Sequence, residues 1–174
     1  MFSIIIPSFN NLEYLKLCLK SLEKNSKYKH EIIIHVNEGS DGTLEYVSQN
    51  KLIHTHTISN VGLCTAVNLA SAKATTEYIV FSHDDMYYCP GWDEVLLNEI
   101  RKLNTKAFLL SGTMIEKNSG HLQLDCGDDY NDFNESKLLS NFRKLKHVDH
   151  QGTHWPPNCV HKTYWKKIGG FGEE

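Results

Sequence analysis

Residues 78–85 read YIVFSHDD: five residues suited to a buried strand, then a histidine, then two carboxylates side by side. Adjacent carboxylates repel each other and gain nothing from burial. A strand that drives into such a pair ends either in a solvated acidic turn, in a cap for the next helix, or in a site that holds a cation. The residues upstream decide between these readings, because they repeat the same plan.

Phe2–Pro7 (FSIIIP) is a continuous apolar run, suited to a central strand covered on both faces. Asn10 or Asn11 is placed to cap a following helix, in which Leu12, Leu15, Leu19 and Leu22 recur at helical spacing. Glu31–Val36 (EIIIHV) is a second buried strand, running into the turn-rich Asn37-Glu38-Gly39-Ser40-Asp41-Gly42 and a short helix around Leu44 and Val47. Leu52–Ile58 is a third, weaker strand, whose His54 and His56 share one face as on an amphipathic edge. Asn60–Ala74 follows as a small-residue helix with Gly62 near its start. Strand and helix thus alternate three times before residue 78, which implies βαβ units and a mostly parallel sheet with helices on both faces. Ligands of open parallel sheets bind at the carboxyl ends of the strands. The loops at residues 7–10, 37–42, 60–62 and 83–85 all fall at that edge, so four polar turns converge on one crevice.

Downstream the pattern predicts a helix after Pro90-Gly91 with Trp92, Val95, Leu96, Ile100 and Leu103 on one side. A strand over Ala107–Ile115, an antiparallel partner at His121–Cys126 and a helix over Asn134–Lys146 come next. Residues 147–174 read as irregular. The 174 residues suffice for one core and are too few for two comfortable domains. A formal charge of −3 gives no reason to expect nucleic acid as a partner, and no apolar run approaches the ~18–20 residues that cross a bilayer. The strand-like opening shows no basic leader, and the five cysteines are odd in number, widely spaced and free of CxxC pairs. The expectation is reduced thiols in a cytoplasmic protein without a zinc site.

Neither GxGxxG nor GxxxxGK[ST] occurs, so a bound phosphate would need another source of positive charge. A hard divalent ion held by one or two carboxylates supplies it, bridging a diphosphate and stabilising it as a leaving group.

Five segments, in order, resemble family 2 glycosyltransferases of the GT-A fold. IIIPSFN resembles the family's first strand and P-x-[FY]-N turn. HVNEGSDGT resembles the V-D-D-G-S-x-D-x-T loop, and NVGLCTAVN the N-x-G-x-x-x-A-[RK]-N segment. YIVFSHDD resembles the strand carrying the D-x-D-type motif, and KKIGGFGEE resembles G-G-F-D-E. The likeness runs through nearly the whole chain. It implies a Rossmann-like, mostly parallel sheet in one GT-A domain over 1–174, with a nucleotide-binding part at about 1–105 and an acceptor-side part, incomplete, at about 106–174. The implied reaction is metal-dependent, inverting transfer of a sugar from a nucleoside-diphosphate sugar, a UDP-sugar being the expected donor, to a saccharide or other hydroxyl acceptor. Carried over by position, Pro7 and Ser8 border the nucleoside, Glu38 takes the acidic position that bonds the base, and Asn60 and Gly62 line the donor pocket. Asp84 faces the ribose or sugar, and Asp85 ligates Mn²⁺ or Mg²⁺ with the diphosphate. His154 and Trp155, beside Pro156-Pro157, are placed for the acceptor side, with core packing as the alternative for the tryptophan.

The chain also departs from the family pattern. Asn37-Glu38 stands where two aspartates are usual, Val67 where a basic residue is frequent, and His83 at the first position of the acid motif, where a structural or solvent-facing histidine is expected and contact with phosphate is the alternative. The family's general base follows the G-G-F-D-E segment, so it is expected beyond Glu174, or else a residue present here takes its role. Asp125, Asp149, His150 and His154 have no spacing that singles one out. Two other functions share these features: a sugar-nucleotide binder without turnover, and a nucleotidyltransferase, disfavoured by the lack of a glycine/arginine-rich triphosphate loop. Peripheral membrane association is compatible with the sequence.

Overall fold

The computed structural model describes residues 1–146, 148–149 and 156–172. Strands β1 (Phe2–Phe9), β2 (Glu31–Asn37), β3 (Ile53–Thr57) and β4 (Tyr78–Phe81) alternate with helices α1 (Leu12–Asn25), α2 (Thr43–Gln49) and α3 (Leu63–Ser71). After α4 (Trp92–Lys102) come β5 (Leu109–Ser111), β6 (Ile115–Glu116), β7 (Leu122–Gln123) and α5 (Glu135–Asn141). A 3-10 turn at Phe142–Lys144, strand β8 (Asn158–His161) and α6 (Lys162–Ile168) complete the order. The main sheet runs β3-β2-β1-β4-β8-β5, parallel through β4 and antiparallel at β4–β8 and β8–β5.

The α/β expectation holds, and side-chain alternation explains the two-sided core. Phe2, Ile4 and Ile6 of β1 point to the face covered by α1, α2 and α4, where Leu15, Leu22, Val47, Leu96 and Ile100 are buried. Ile5 points to the other face, against Val67 and Ala70 of α3 and Trp165 of α6. Each fully buried Ile or Leu contributes roughly 1.5–3 kcal/mol, and a single Leu15→Ala cavity in α1 costs about 2–5 kcal/mol. Among the described residues no helix is long and apolar enough to cross a membrane.

Four local expectations are corrected. Asn11 occupies the N-cap position of α1 without a side-chain cap; the Leu12 amide donates instead to the Asp41 carboxylate (2.8 Å), which also accepts from Thr43 at the start of α2. One acid from the second loop therefore ties two helix starts together. α3 begins at Leu63, so Asn60–Gly62 form a free-standing loop before it. β6 and β7 pair parallel, not antiparallel: the Leu122 and Leu124 amides donate to the Met114 and Glu116 carbonyls (3.1 and 3.0 Å), and Gly120 packs where a Cβ would stand 2.9 Å from the Met114 carbonyl and the Glu116 amide. The tail called irregular supplies β8 and α6.

Register shapes the carboxyl edge of the sheet. Phe9 pairs with Asn37 and Asn37 with Thr57, so β1, β2 and β3 end level. Ile5, however, pairs with Phe81, the last residue of β4. β1 thus overshoots β4 by four residues, and a notch opens between them at the point where the strand order reverses direction.

Candidate functional site

The notch is a cavity of about 280 Å³ lined by Pro7, Ser8, Phe9, Asn11, Asn37, Asn60, Gly62, Leu63, His83 and Asp84. Five residues anticipated for donor binding, Pro7, Ser8, Asn60, Gly62 and Asp84, come together around it. Glu38 does not line it, and Asn37 stands there instead. Glu38 adopts a left-handed backbone (φ +65°), fixed by its amide on the Thr57 carbonyl (2.9 Å) and by His56 on its own carbonyl (3.1 Å). Its carboxylate is engaged by Asn10 (3.3 Å) and Ser40 (2.9 Å). A non-glycine residue in this region costs about 1–2 kcal/mol, strain of the kind that collects at ligand loops. Asn37, in turn, accepts from the Val61 amide (3.1 Å) and the Thr57 hydroxyl (3.3 Å), so it sets the position of the Asn60–Gly62 loop. Asn60 folds that loop further by accepting from the Gly62 amide (2.9 Å).

The acid pair divides its labour. Asp84 is buried and accepts from Asn11 (3.0 Å). Burial pushes its carboxyl above the usual aspartate range, and the neighbouring Asp85 adds to this, while Ser8 and Asn11 act in the opposite sense. The Ser8 hydroxyl stands near Asp84, yet it is buried without a well-formed hydrogen bond to any described group; the Asn10 side-chain oxygen Oδ1 shares that condition. Asp85 is more than half exposed, its carboxylate 3.9 Å from His83 Nδ1. The loop carrying them is anchored from behind: the His83 carbonyl accepts from Ser82 (3.0 Å) and Cys18 (3.7 Å), and Tyr88 bonds Ser82 (2.7 Å). His83, expected to be structural or solvent-facing, lines the cavity. Phe9, Asn11, Asn37, Leu63 and His83 are the lining residues that the sequence did not single out for donor binding.

No Lys or Arg lines the cavity, and the uncapped amino end of α3 opens onto it at Gly62 and Leu63. Among the described residues no three His, Cys, Asp or Glu side chains converge on one point. An exposed Asp85 beside His83 fits a divalent ion whose remaining positions are filled by substrate phosphates, not a cage built wholly of protein. His154 and Trp155, together with Glu173 and Glu174, lie outside the described residues. Trp165 is a core residue, donating to Ser71 (2.9 Å). The G-G-F segment is clasped by Asn68, whose amide donates to the Phe171 carbonyl and accepts from its N–H, both at 2.9 Å.

Comparisons with known proteins agree with this fold. An uncharacterized glycosyltransferase of Rickettsia typhi is 30% identical over 98% of this chain and 53% of its own length; one of Rickettsia bellii is 32% identical over 69% of this chain and 18% of its own. The chain therefore spans about half the length of the first of these relatives. S. aureus TarS 1–349 superposes with a TM-score of 0.71 at 18% identity, over 99% of this chain and 50% of that one. TarS has also been solved with UDP and with UDP-GlcNAc. The mannosyltransferase PcManGT from Pyrobaculum calidifontis, in complex with GDP-Man and Mn²⁺, superposes at 0.67 and 18% identity, over 99% of this chain and 48% of that one. The sequence model of glycosyl transferase family 2 matches residues 3–156, and this chain belongs to that family.

Proposed function

We propose that the β1/β4 notch is the donor site of a metal-dependent, inverting glycosyltransferase that takes a nucleoside-diphosphate sugar, most simply a UDP-sugar, and transfers its sugar to a hydroxyl acceptor. The observation that carries this reading is the chemistry of the notch: a buried, destabilised Asp84, an orphaned Ser8 hydroxyl and an open helix amino end, with no lysine or arginine among its described lining residues. An anionic ligand there meets the positive end of α3, and the rest of its charge requires a cation. Asp85 would hold that ion with the diphosphate, and the ion would stabilise the departing diphosphate electrostatically.

The chain's own residues then orient the donor. Pro7 and Ser8 border the nucleoside, Asn37 holds the Asn60–Gly62 loop against it, and Asp84, kept in place by Asn11, accepts from donor hydroxyls. Glu38, tied to Asn10 and Ser40, supports the base-proximal turn. Residues 1–105 form the nucleotide-binding part and the rest contributes to the acceptor side, where His154 and Trp155 are the proposed contacts. The acceptor's general base belongs beyond Glu174. The five free cysteines suit a reducing cytoplasm. UDP-GlcNAc and GDP-Man, the ligands of the structural neighbours, set the class of donor to test.

The test is a thermal-shift and calorimetric titration with UDP and GDP, with and without Mn²⁺. Stabilisation that requires both nucleotide and metal, and is lost in Asp85→Ala, is expected; stabilisation indifferent to Asp85 refutes the site. Release of nucleoside diphosphate from a sugar nucleotide, accelerated by an acceptor, separates a transferase from a binder. Release of pyrophosphate from a triphosphate would indicate a nucleotidyltransferase instead.

A further inference from the structure

We infer that His83 is a direct ligand of the cation, sharing it with Asp85, and that its nitrogen selects Mn²⁺ over Mg²⁺. The inference rests on the donor-site reading and adds to it a metal specificity. His83 Nδ1 and Asp85 Oδ1 stand 3.9 Å apart. Two donors on one octahedral ion, each at about 2.1 Å, are about 3 Å apart when adjacent and about 4.2 Å when opposite, so the observed separation falls inside the span a single ion bridges. The two side chains are 38% and 54% exposed, free to adjust by the small rotation that closure on an ion needs.

The imidazole is also prepared for the role. Its backbone is fixed by the two donors to the His83 carbonyl, and its ring rests edge-on against Phe81, centroids 5.2 Å apart. Phe81 is braced in turn by Phe171 at 5.4 Å. Among the described residues neither ring nitrogen is spent on a hydrogen bond, and His83 faces the same cavity as the orphaned Ser8 hydroxyl, an independent sign that a ligand completes this pocket. Mg²⁺ is a hard ion that strongly prefers oxygen, whereas imidazole suits transition ions. A nitrogen donor where an acid is usual therefore penalises Mg²⁺ more than Mn²⁺.

Electron spin-echo spectroscopy of Mn²⁺ bound to the protein with UDP or GDP reads this directly. Nitrogen modulation from a bound imidazole is expected in the native protein and absent from His83→Asp and His83→Gln. Competition titrations on the same samples should show the Mn²⁺-over-Mg²⁺ preference falling roughly tenfold in His83→Asp, within the range for perturbing a metal's ligand environment. Circular dichroism and Tm establish that the variants remain folded. Bound Mn²⁺ without nitrogen modulation, or an unchanged preference in His83→Asp, overturns the role of His83 and leaves the donor site standing. If neither UDP nor GDP alters Mn²⁺ binding at all, the donor-site reading falls and this inference falls with it.

Discussion

Ser8→Ala should raise the stability of the free protein while weakening its hold on the nucleotide. Ser8 sits near the end of β1, 2% exposed, with its hydroxyl lacking a well-formed partner. A buried polar group left unsatisfied costs about 1–3 kcal/mol. One effect shrinks that figure here: the hydroxyl eases the charge of nearby Asp84. A net gain of about 1 kcal/mol on removing it is the consequence, worth about 2–4 °C in Tm for a chain of this size. In the complex the same hydroxyl would make one hydrogen bond to the ligand, worth about 0.5–1.5 kcal/mol, or about 2- to 10-fold in Kd.

Differential scanning calorimetry of the free protein and titration calorimetry with UDP and GDP in Mn²⁺ give both numbers from one pair of samples. The opposite signs are the diagnostic feature, since an ordinary packing residue loses both stability and affinity when truncated. Should Ser8→Ala melt lower than the native protein, the hydroxyl is satisfied within the fold. Should it melt higher yet bind unchanged, the orphaned group has nothing to do with the ligand.

Asp84→Asn follows similar logic with a pH signature. Because burial raises the Asp84 pKa, its ionisation opposes folding, and native stability falls as pH rises from the usual aspartate value of about 3.9 through the raised one. The amide should therefore stabilise the free protein at neutral pH, with the difference vanishing below about pH 4, as measured by urea melts across pH. Asp93→Ala should do the reverse. That carboxylate is fully buried and accepts from the amides of Lys27, Tyr28 and Glu94 (each 2.9 Å at closest) and from His30 (3.0 Å), so about 3–5 kcal/mol is at stake. Burial opposes its charge, but these bonds outweigh it and hold its pKa low, while burial lowers that of His30. Both contributions are complete above about pH 6.5 and are lost on acidification, His30 first, which an acid titration by circular dichroism follows. Asn68→Ala removes both 2.9 Å bonds to Phe171; hydrogen exchange should accelerate at Phe171, and Trp165 fluorescence, from a ring 5.0 Å away, should shift. Unchanged exchange there would mean that packing alone holds the segment.

The long-range plan was legible because its signals are local and repeated: FSIIIP, EIIIHV and YIVF each announce a buried strand, and each is followed by a polar turn. β8 was not, because NCVH is only four residues long and becomes a strand by pairing Tyr78 with His161, far away in sequence. The cap of α1 escaped for a related reason: Asp41 lies in a different loop, and nothing around Leu12 names it. At the site, the polar turns lie where the sequence places them, but one side chain stands off the notch. Glu38 has the acidic character expected of a ligand contact, yet its positive φ leaves Asn37, the residue before it, lining the notch. Residue identity was readable there, and the direction of one backbone torsion was not. For His83 the sequence leaves a phosphate contact open beside a structural or solvent-facing role; its place in the cavity wall and its spacing from Asp85 are what the fold adds.

The contrast between the two rims of the sheet supports the proposed site on grounds of its own. At the amino rim, Ser3 bonds Glu31 and Thr76, and Glu31 also takes the amide and hydroxyl of Thr75 (2.9 and 2.8 Å). Burial opposes the charge of Glu31, yet these bonds hold its pKa below the usual range. At the carboxyl rim the same kinds of residue are left open: the Ser8 hydroxyl and Asn10 side-chain oxygen lack good partners, Asp84 is pushed up by burial, and Asn10 and Glu38 hold left-handed backbones. A fold that satisfies its polar groups at one end is capable of doing so at the other. Keeping groups unsatisfied and strained at the second end lowers stability, and such features persist where a bound partner completes them. A ligand carrying hydroxyls for Ser8 and Asp84, and charge for a cation at Asp85, would answer each of these deficits at once, which favours the notch, and not the better-bonded opposite rim, as the proposed donor site.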